Sequence, residues 1–191
     1  LQEHRPTDHP DLLTVAGMLA TTLVHLERHT EADELFAHVV ERTRGVLGQF
    51  HPAVTPLLLE RAGLALNRGQ LPESLALYRE AAEVVRSAQG EDNGEYVNLL
   101  RMQATVLHLL GESDQAEALL KQRVAILRRL FGPSSSVVAP AQQALADFLR
   151  QRQRYDDAIP LARQAYETLR RASRSPDLPE SEEDIAGPSS I

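Results

Sequence analysis

From residue 12 onward, the apolar side chains of this chain recur at helical intervals. Leu12, Val15, Leu19, Leu23 and Leu26 keep a spacing of three or four, and Leu35, Phe36, Val39 and Val40 resume it after a polar break. A stripe, a break and a second stripe predict a pair of amphipathic helices. The same two-stripe pattern carries on to about residue 173. It predicts helices at 11–28 and 31–47, 53–68 and 72–89, 94–110 and 114–131, and 136–152 and 156–173.

The pairs are copies of one unit. His9-Pro10 and His51-Pro52 stand 42 residues apart, and that offset holds along the chain. Ala20, Ala62, Ala104 and Ala146 share one phase. Twelve residues later Ala32, Ser74, Ala116 and Ala158 are all small, and Leu35, Leu77, Leu119 and Leu161 follow three residues further on. Gly48, Gly90 and Gly132 share a phase that ends second helices, while Gly69 and Gly111 share one that ends first helices. Pro72 and Ser113 then start the second helices.

Small residues twelve apart are what the two helices of a hairpin need where they cross. A methyl group or less lets the axes approach to about 8 Å, and the large side chains beside the crossing fill the remaining core. A hairpin of this size cannot bury its apolar face alone. It becomes stable by stacking on its neighbours, with about three units or more required. The predicted fold is therefore all-α, four stacked helix-turn-helix units at about 9–50, 51–92, 93–134 and 135–174. An N-terminal segment, 1–8, precedes them, and an acidic tail, 175–191, follows. At the junctions, Pro10 and Pro52 fall at a first helical position, where the missing N–H has no intrahelical partner anyway. Asn93-Gly94 and Ser135-Ser136 take the same places later, so His9 and His51 are expected to cap or pack rather than bind a ligand.

HPDLLTVAGMLATTLVHLERHTEADELF and its three copies, over residues 9–174, resemble the tetratricopeptide repeat, in particular the 42-residue variety of kinesin light chains. The resemblance implies a right-handed α-solenoid of four repeats whose first helices line a concave groove. It implies a non-enzymatic protein–protein interaction scaffold that binds a peptide or a partner helix there. Carried over position by position, the groove candidates are Thr14, Gly17, Thr21, Val24 and His25 in the first unit, Pro56, Leu59, Gly63, Leu66 and Asn67 in the second, and Asn98, Arg101, Thr105, His108 and Leu109 in the third. Pro140, Gln143, Asp147, Arg150 and Gln151 supply the fourth, and the polar ones among the twenty, Thr14 and Gln151 excepted, are the expected partner contacts.

One departure changes the expected ligand. Kinesin-light-chain-like repeats commonly carry an Asn eight residues after the junction His, where a carboxamide can donate to and accept from a peptide backbone at once. Here those places hold Gly17, Leu59, Arg101 and Gln143, so only Gln143 keeps an amide. Arg101, with His108 further along the same face, offers a cation to an acidic group instead. The plainer reading of Arg101 is a solvated side chain on an exposed helix.

The 191 residues, 42% hydrophobic and without Cys, suit a globular chain long enough for a good core. The lack of Cys removes disulfides, thiolate nucleophiles and Cys-ligated metals, and it fits a cytoplasmic setting. Of the net charge of −7, five units come from Asp177, Glu180, Glu182, Glu183 and Asp184 in a tail that has no Lys or Arg. The rest of the chain is near neutral, which argues against nucleic acid as partner. No apolar run suggests a membrane span, and the N-terminus lacks the order of a signal peptide. The first residue is Leu, so a fragment of a longer protein is expected, with an upstream domain as an intramolecular partner. An alternative function follows from that: a regulatory or sensor array within a larger signalling protein such as an NTPase, or a self-association surface.

Candidate chemistry is thin. HLERH, 25–29, sets two His four apart, but Leu26 stands where the zinc-protease pattern needs Glu, and the repeat phase puts His29 at the inter-helix turn. No nucleophile elbow, phosphate-binding loop or dinucleotide fingerprint is present. Asp156-Asp157 is explained by its place at a helix start. No catalytic residue, metal site or cofactor is assigned. In the tail, Ser181 before acidic residues fits an acid-directed kinase, and Ser189-Ser190-Ile191 resembles a PDZ-domain ligand.

Overall fold

The computed structural model describes residues 10–173. The segment 1–8, His9 and the tail from 174, with the expectations placed on them, lie outside the described residues. Among those described there are eight α-helices and no strand. They are α1 Pro10–His25, α2 His29–Leu47, α3 Val54–Asn67, α4 Leu71–Gln89, α5 Gly94–Leu109, α6 Ser113–Phe131, α7 Ala139–Gln151 and α8 Tyr155–Ser173. They fall into two compact units, one through Leu130 and one from Phe131. In the first, α1 packs on α2, α2 on α3, α3 on α4 and α4 on α5; in the second, α7 packs on α8.

Each hairpin turns in the same way. Arg28 N donates to Leu23 O at 2.9 Å, and the equivalent bonds are Gln70 to Ala65 at 2.8 Å, Glu112 to Leu107 at 2.8 Å and Arg154 to Leu149 at 2.9 Å. This is the six-to-one closure of a Schellman motif, which needs a left-handed residue just before the donor. Gly69 and Gly111 supply it with φ of 73° and 82°. Glu27 and Gln153 adopt it too, at 59° and 61°, so the turn persists where glycine is absent, against an unfavourable left-handed backbone. Because Leu26, Glu27 and Arg28 form this turn, α1 ends at His25, three residues before the sequence-based limit.

The small residues lie where the repeat requires. Ala20, Ala62, Ala32, Ser74 and Ala116 are wholly buried, and Ala104, Ala146 and Ala158 nearly so. The second hairpin shows how closely the helices cross: Ser74 Oγ, on α4, donates to the carbonyl of Ala62, on α3, at 2.8 Å. The large core side chains sit one residue beyond the expected column. Phe36, Tyr78 and Leu120 are buried, whereas Leu35 and Leu119 are only half-buried, and of that column only Leu77 is buried.

A second difference concerns α1. The stripe Leu12, Val15, Leu19 and Leu26 faces outward, each residue half exposed or more, and the inward face is Leu13, Gly17, Ala20 and Leu23. The residues one and two repeats later than Leu12, Val54 and Tyr96, are buried. That row of the repeat is covered by the preceding hairpin in the inner copies, since α2 packs on α3 and α4 on α5, and no hairpin precedes α1 among the described residues.

The junctions vary in residue and keep their role. His51 Nδ1 accepts from Ala53 N at 3.2 Å, Asn93 Oδ1 from Tyr96 N at 2.8 Å, and Ser135 Oγ from Val137 N at 3.3 Å. Pro10 opens α1 as expected. Pro52, however, belongs to a turn before α3, which starts at Val54, and α7 starts at Ala139 rather than at residue 136.

Two buried glutamines behave differently. Gln103 Nε2 donates to the carbonyl of Tyr78 at 3.3 Å, tying α5 to α4. Gln142, wholly buried in α7, has no partner for either amide atom. The same phase of the earlier units holds Leu58 and Leu100, both buried. An orphaned buried amide costs about 1–3 kcal/mol, so Gln142→Leu is expected to stabilise the chain by about 2 kcal/mol. A urea unfolding curve checks this; a lower midpoint would mean that the amide is bonded in solution.

Candidate binding face of the first helices

On α5 the chain spaces Asn98, Arg101, Thr105 and His108 three, four and three residues apart, which sets them along one helix face. All four are exposed. Arg101 is held in place: its Nε and Nη2 donate to Asn98 Oδ1 at 3.2 and 2.9 Å. Thr105 Oγ1 donates to the carbonyl of Arg101 at 3.0 Å, which commits the hydroxyl proton within the helix. His108 lies seven residues from Arg101, about 10 Å along the axis at the rise of an α-helix. The two side chains therefore stand about two helical turns apart on this face.

A second arginine stands near enough to Arg101 to be repelled by it. Arg123, on α6, is half-buried, and its Nε has no hydrogen-bond partner. Burial first, and then repulsion by Arg101, hold the Arg123 guanidinium below its ordinary pKa. Sequence reasoning missed this residue, although a signal was there. Its column reads Val39, Ala81, Arg123 and Ala165, and the other three are buried core.

The remaining predicted residues divide among the other first helices. Thr21, half-buried on α1, donates to the carbonyl of Gly17 at 3.2 Å. His25 and Asn67 are the exposed last residues of α1 and α3. On α7, Gln143 and Arg150 are exposed and Asp147 is half-buried, with Arg150 Nε 3.4 Å from Asp147 Oδ1. His25 closes α1 and His29 opens α2 with a left-handed Glu27 between them, so the HLERH histidines do not share a helical turn. Between α1 and α3, above α2, lies a cavity of about 420 Å³, and Gly17 forms part of its wall.

An all-α chain of repeated hairpins, with a line of exposed polar side chains on a first helix, is a repeat protein of the α-solenoid class. Models of the tetratricopeptide repeat match residues 54–129 and residues 12–53 and 139–173. The chain belongs to the tetratricopeptide repeat family. Among solved structures it is similar to the kinesin-light-chain-type protein of Podosopora anserina with nearly identical TPR-like repeats. That match has 21% identity and a TM-score of 0.77, and it covers 91% of this chain and 82% of that one. It is also similar to BtubC (BKLC) from P. vanneervenii, with 14% identity, a TM-score of 0.76 and coverage of 94% and 72%. MamA is similar at 13% identity and a TM-score of 0.59, with coverage of 86% and 82%. These likenesses show the fold. A search of curated proteins finds no match. Proteins of this family are typically non-enzymatic interaction scaffolds. No helix among the described residues is long and apolar enough to cross a membrane.

Proposed function

We propose that this chain is a protein-interaction scaffold that holds an extended peptide or a partner helix against the exposed faces of its first helices. An acidic residue of the partner is received by Arg101 with Arg123 behind it. The observation that carries this reading is the α5 face, four polar side chains in line, where Asn98 fixes Arg101 and Arg123 is left without a partner at Nε. A partner carboxylate relieves the repulsion between the two guanidiniums and gains charge-assisted hydrogen bonds. Thr21, His25, Asn67, Gln143, Asp147 and Arg150 are proposed as further contacts, each limited to its own helix.

The test uses a labelled peptide of alternating Glu and Ala, titrated against the whole chain by fluorescence anisotropy. Arg101→Glu is expected to weaken binding about tenfold or more, which corresponds to about 1.4 kcal/mol. His108→Glu should weaken it less, because that side chain lies about two helical turns away. Unchanged affinity in both variants would move the site off α5.

A further inference from the structure

We propose that the cavity between α1 and α3 is an anchor site for a bulky apolar side chain of the partner peptide, a leucine or phenylalanine with a basic residue beside it. The proposal rests on the peptide-binding reading above and names the occupant of the first hairpin, whereas the Arg101 face concerns the third.

A glycine stands in the wall of the cavity. In the column that reads Gly17, Leu59, Arg101 and Gln143, three units place a long side chain on the first helix and one places none. A Cβ at position 17 would stand 3.2 Å from Leu57 Cδ2, so a longer side chain there would have to push Leu57 aside or fill the cavity. Glycine in a helix interior costs about 1 kcal/mol relative to alanine. The cavity it borders has a volume of about 420 Å³, inside the range of about 300–1,000 Å³ found for clefts that hold ligands.

The lining selects the chemistry. Phe36, Leu13 and Leu57 make an apolar floor and walls. Thr21 lines it too, but its hydroxyl is already bonded to the carbonyl of Gly17. At the mouth, Met18 is 66% exposed, and its unbranched side chain can adapt to a guest. Glu60, also at the mouth, is exposed, and no cation pairs with it among the described residues. From Pro10 to Val24, α1 offers no Lys, Arg or His. An apolar cavity beside one uncompensated carboxylate complements an apolar side chain with a cation next to it and disfavours an acidic neighbour. The chain's own tail, with five acidic residues and no basic one, is the wrong occupant by the same charge argument.

The probes are blocked pentapeptides Ala-Lys-X-Lys-Ala with X as Leu, Phe or Ala, titrated into the isotope-labelled full chain and followed by NMR. The Leu and Phe peptides are expected to shift the resonances of Thr14, Gly17 and Thr21, and the Ala peptide to bind about tenfold to a hundredfold more weakly, as loss of a buried apolar side chain implies. Gly17→Leu should erase that difference while circular dichroism and binding of the Glu-Ala peptide stay as in the parent chain. Glu60→Lys, which leaves the cavity intact, should turn the preference toward peptides with Glu in place of Lys. Equal binding of the Leu and Ala peptides, or unchanged selectivity in both variants, would overturn the proposal. Anchor selectivity with no binding of the Glu-Ala peptide would support the cavity and refute the Arg101 reading, so the two failures are distinguishable.

Discussion

Phe36→Ala is expected to lower the unfolding free energy by about 3–5 kcal/mol, the largest effect of any single change considered for this chain. Phe36 is wholly buried and clusters with Ala20, Leu23, Ala32 and Leu64, with Val24, Leu35 and Leu57 packed around them. Two of those neighbours are alanines at the crossing of α1 and α2, and an alanine has no side chain to swing into the space a phenyl ring leaves. The hole therefore persists, and the loss combines transfer of the ring with an uncollapsed cavity. Urea unfolding followed by circular dichroism measures it. A loss below about 1 kcal/mol, the range of surface and minor changes, would mean that the ring does not sit in the core.

The second large effect is expected for Ala62→Leu, at about 3 kcal/mol. Alanine and leucine are both strong helix formers, so propensity changes little and the loss reports packing. Ala62 is wholly buried, and its carbonyl accepts the hydroxyl of Ser74 on the facing helix at 2.8 Å. A leucine side chain has to enter the space through which α4 approaches. Moving the helices apart breaks that hydrogen bond as well, for a further loss of about 1 kcal/mol. Ala125→Leu, on an exposed face of α6, serves as the control and should stay within about 0.5 kcal/mol of the parent. Equal effects at 62 and 125 would mean that alanine size at the crossing is unimportant.

The fold was legible because a solenoid repeats its physical demands. Two columns of small residues, a column of helix stops and a column of junction caps recur at 42 residues, and each corresponds to a role seen in the structure. The caps show why chemistry is a better guide than identity. His51, Asn93 and Ser135 share no side-chain type, but each accepts from a backbone N–H at or just ahead of the start of the next helix.

What was not legible has physical reasons too. The outward stripe of α1 has the same apolar spacing as a core stripe. Spacing reports that a face is apolar and not whether a neighbour covers it. The left-handed turns at Glu27 and Gln153 were hidden because a tertiary turn imposes the backbone where no glycine marks it. The core column was displaced by one residue because Leu35 and Phe36 are adjacent and both large, and a sequence pattern cannot say which points inward. Arg123 and the Gly17 cavity depend on side chains from different helices meeting, information that lies in the packing. Arg101 could be picked out from its column, but its tether to Asn98 and its distance from His108 required the helix itself.

The central claim is that alanine-sized side chains sit face to face wherever the two helices of a hairpin cross. A methyl–methyl NOE experiment on the full chain with labelled alanines tests it most directly. The account predicts cross-peaks linking Ala20 with Ala32, Ala104 with Ala116 and Ala146 with Ala158, and protection of these methyls from a soluble paramagnetic probe. Missing cross-peaks together with strong broadening of the same methyls by the probe would place them in solvent and contradict the account.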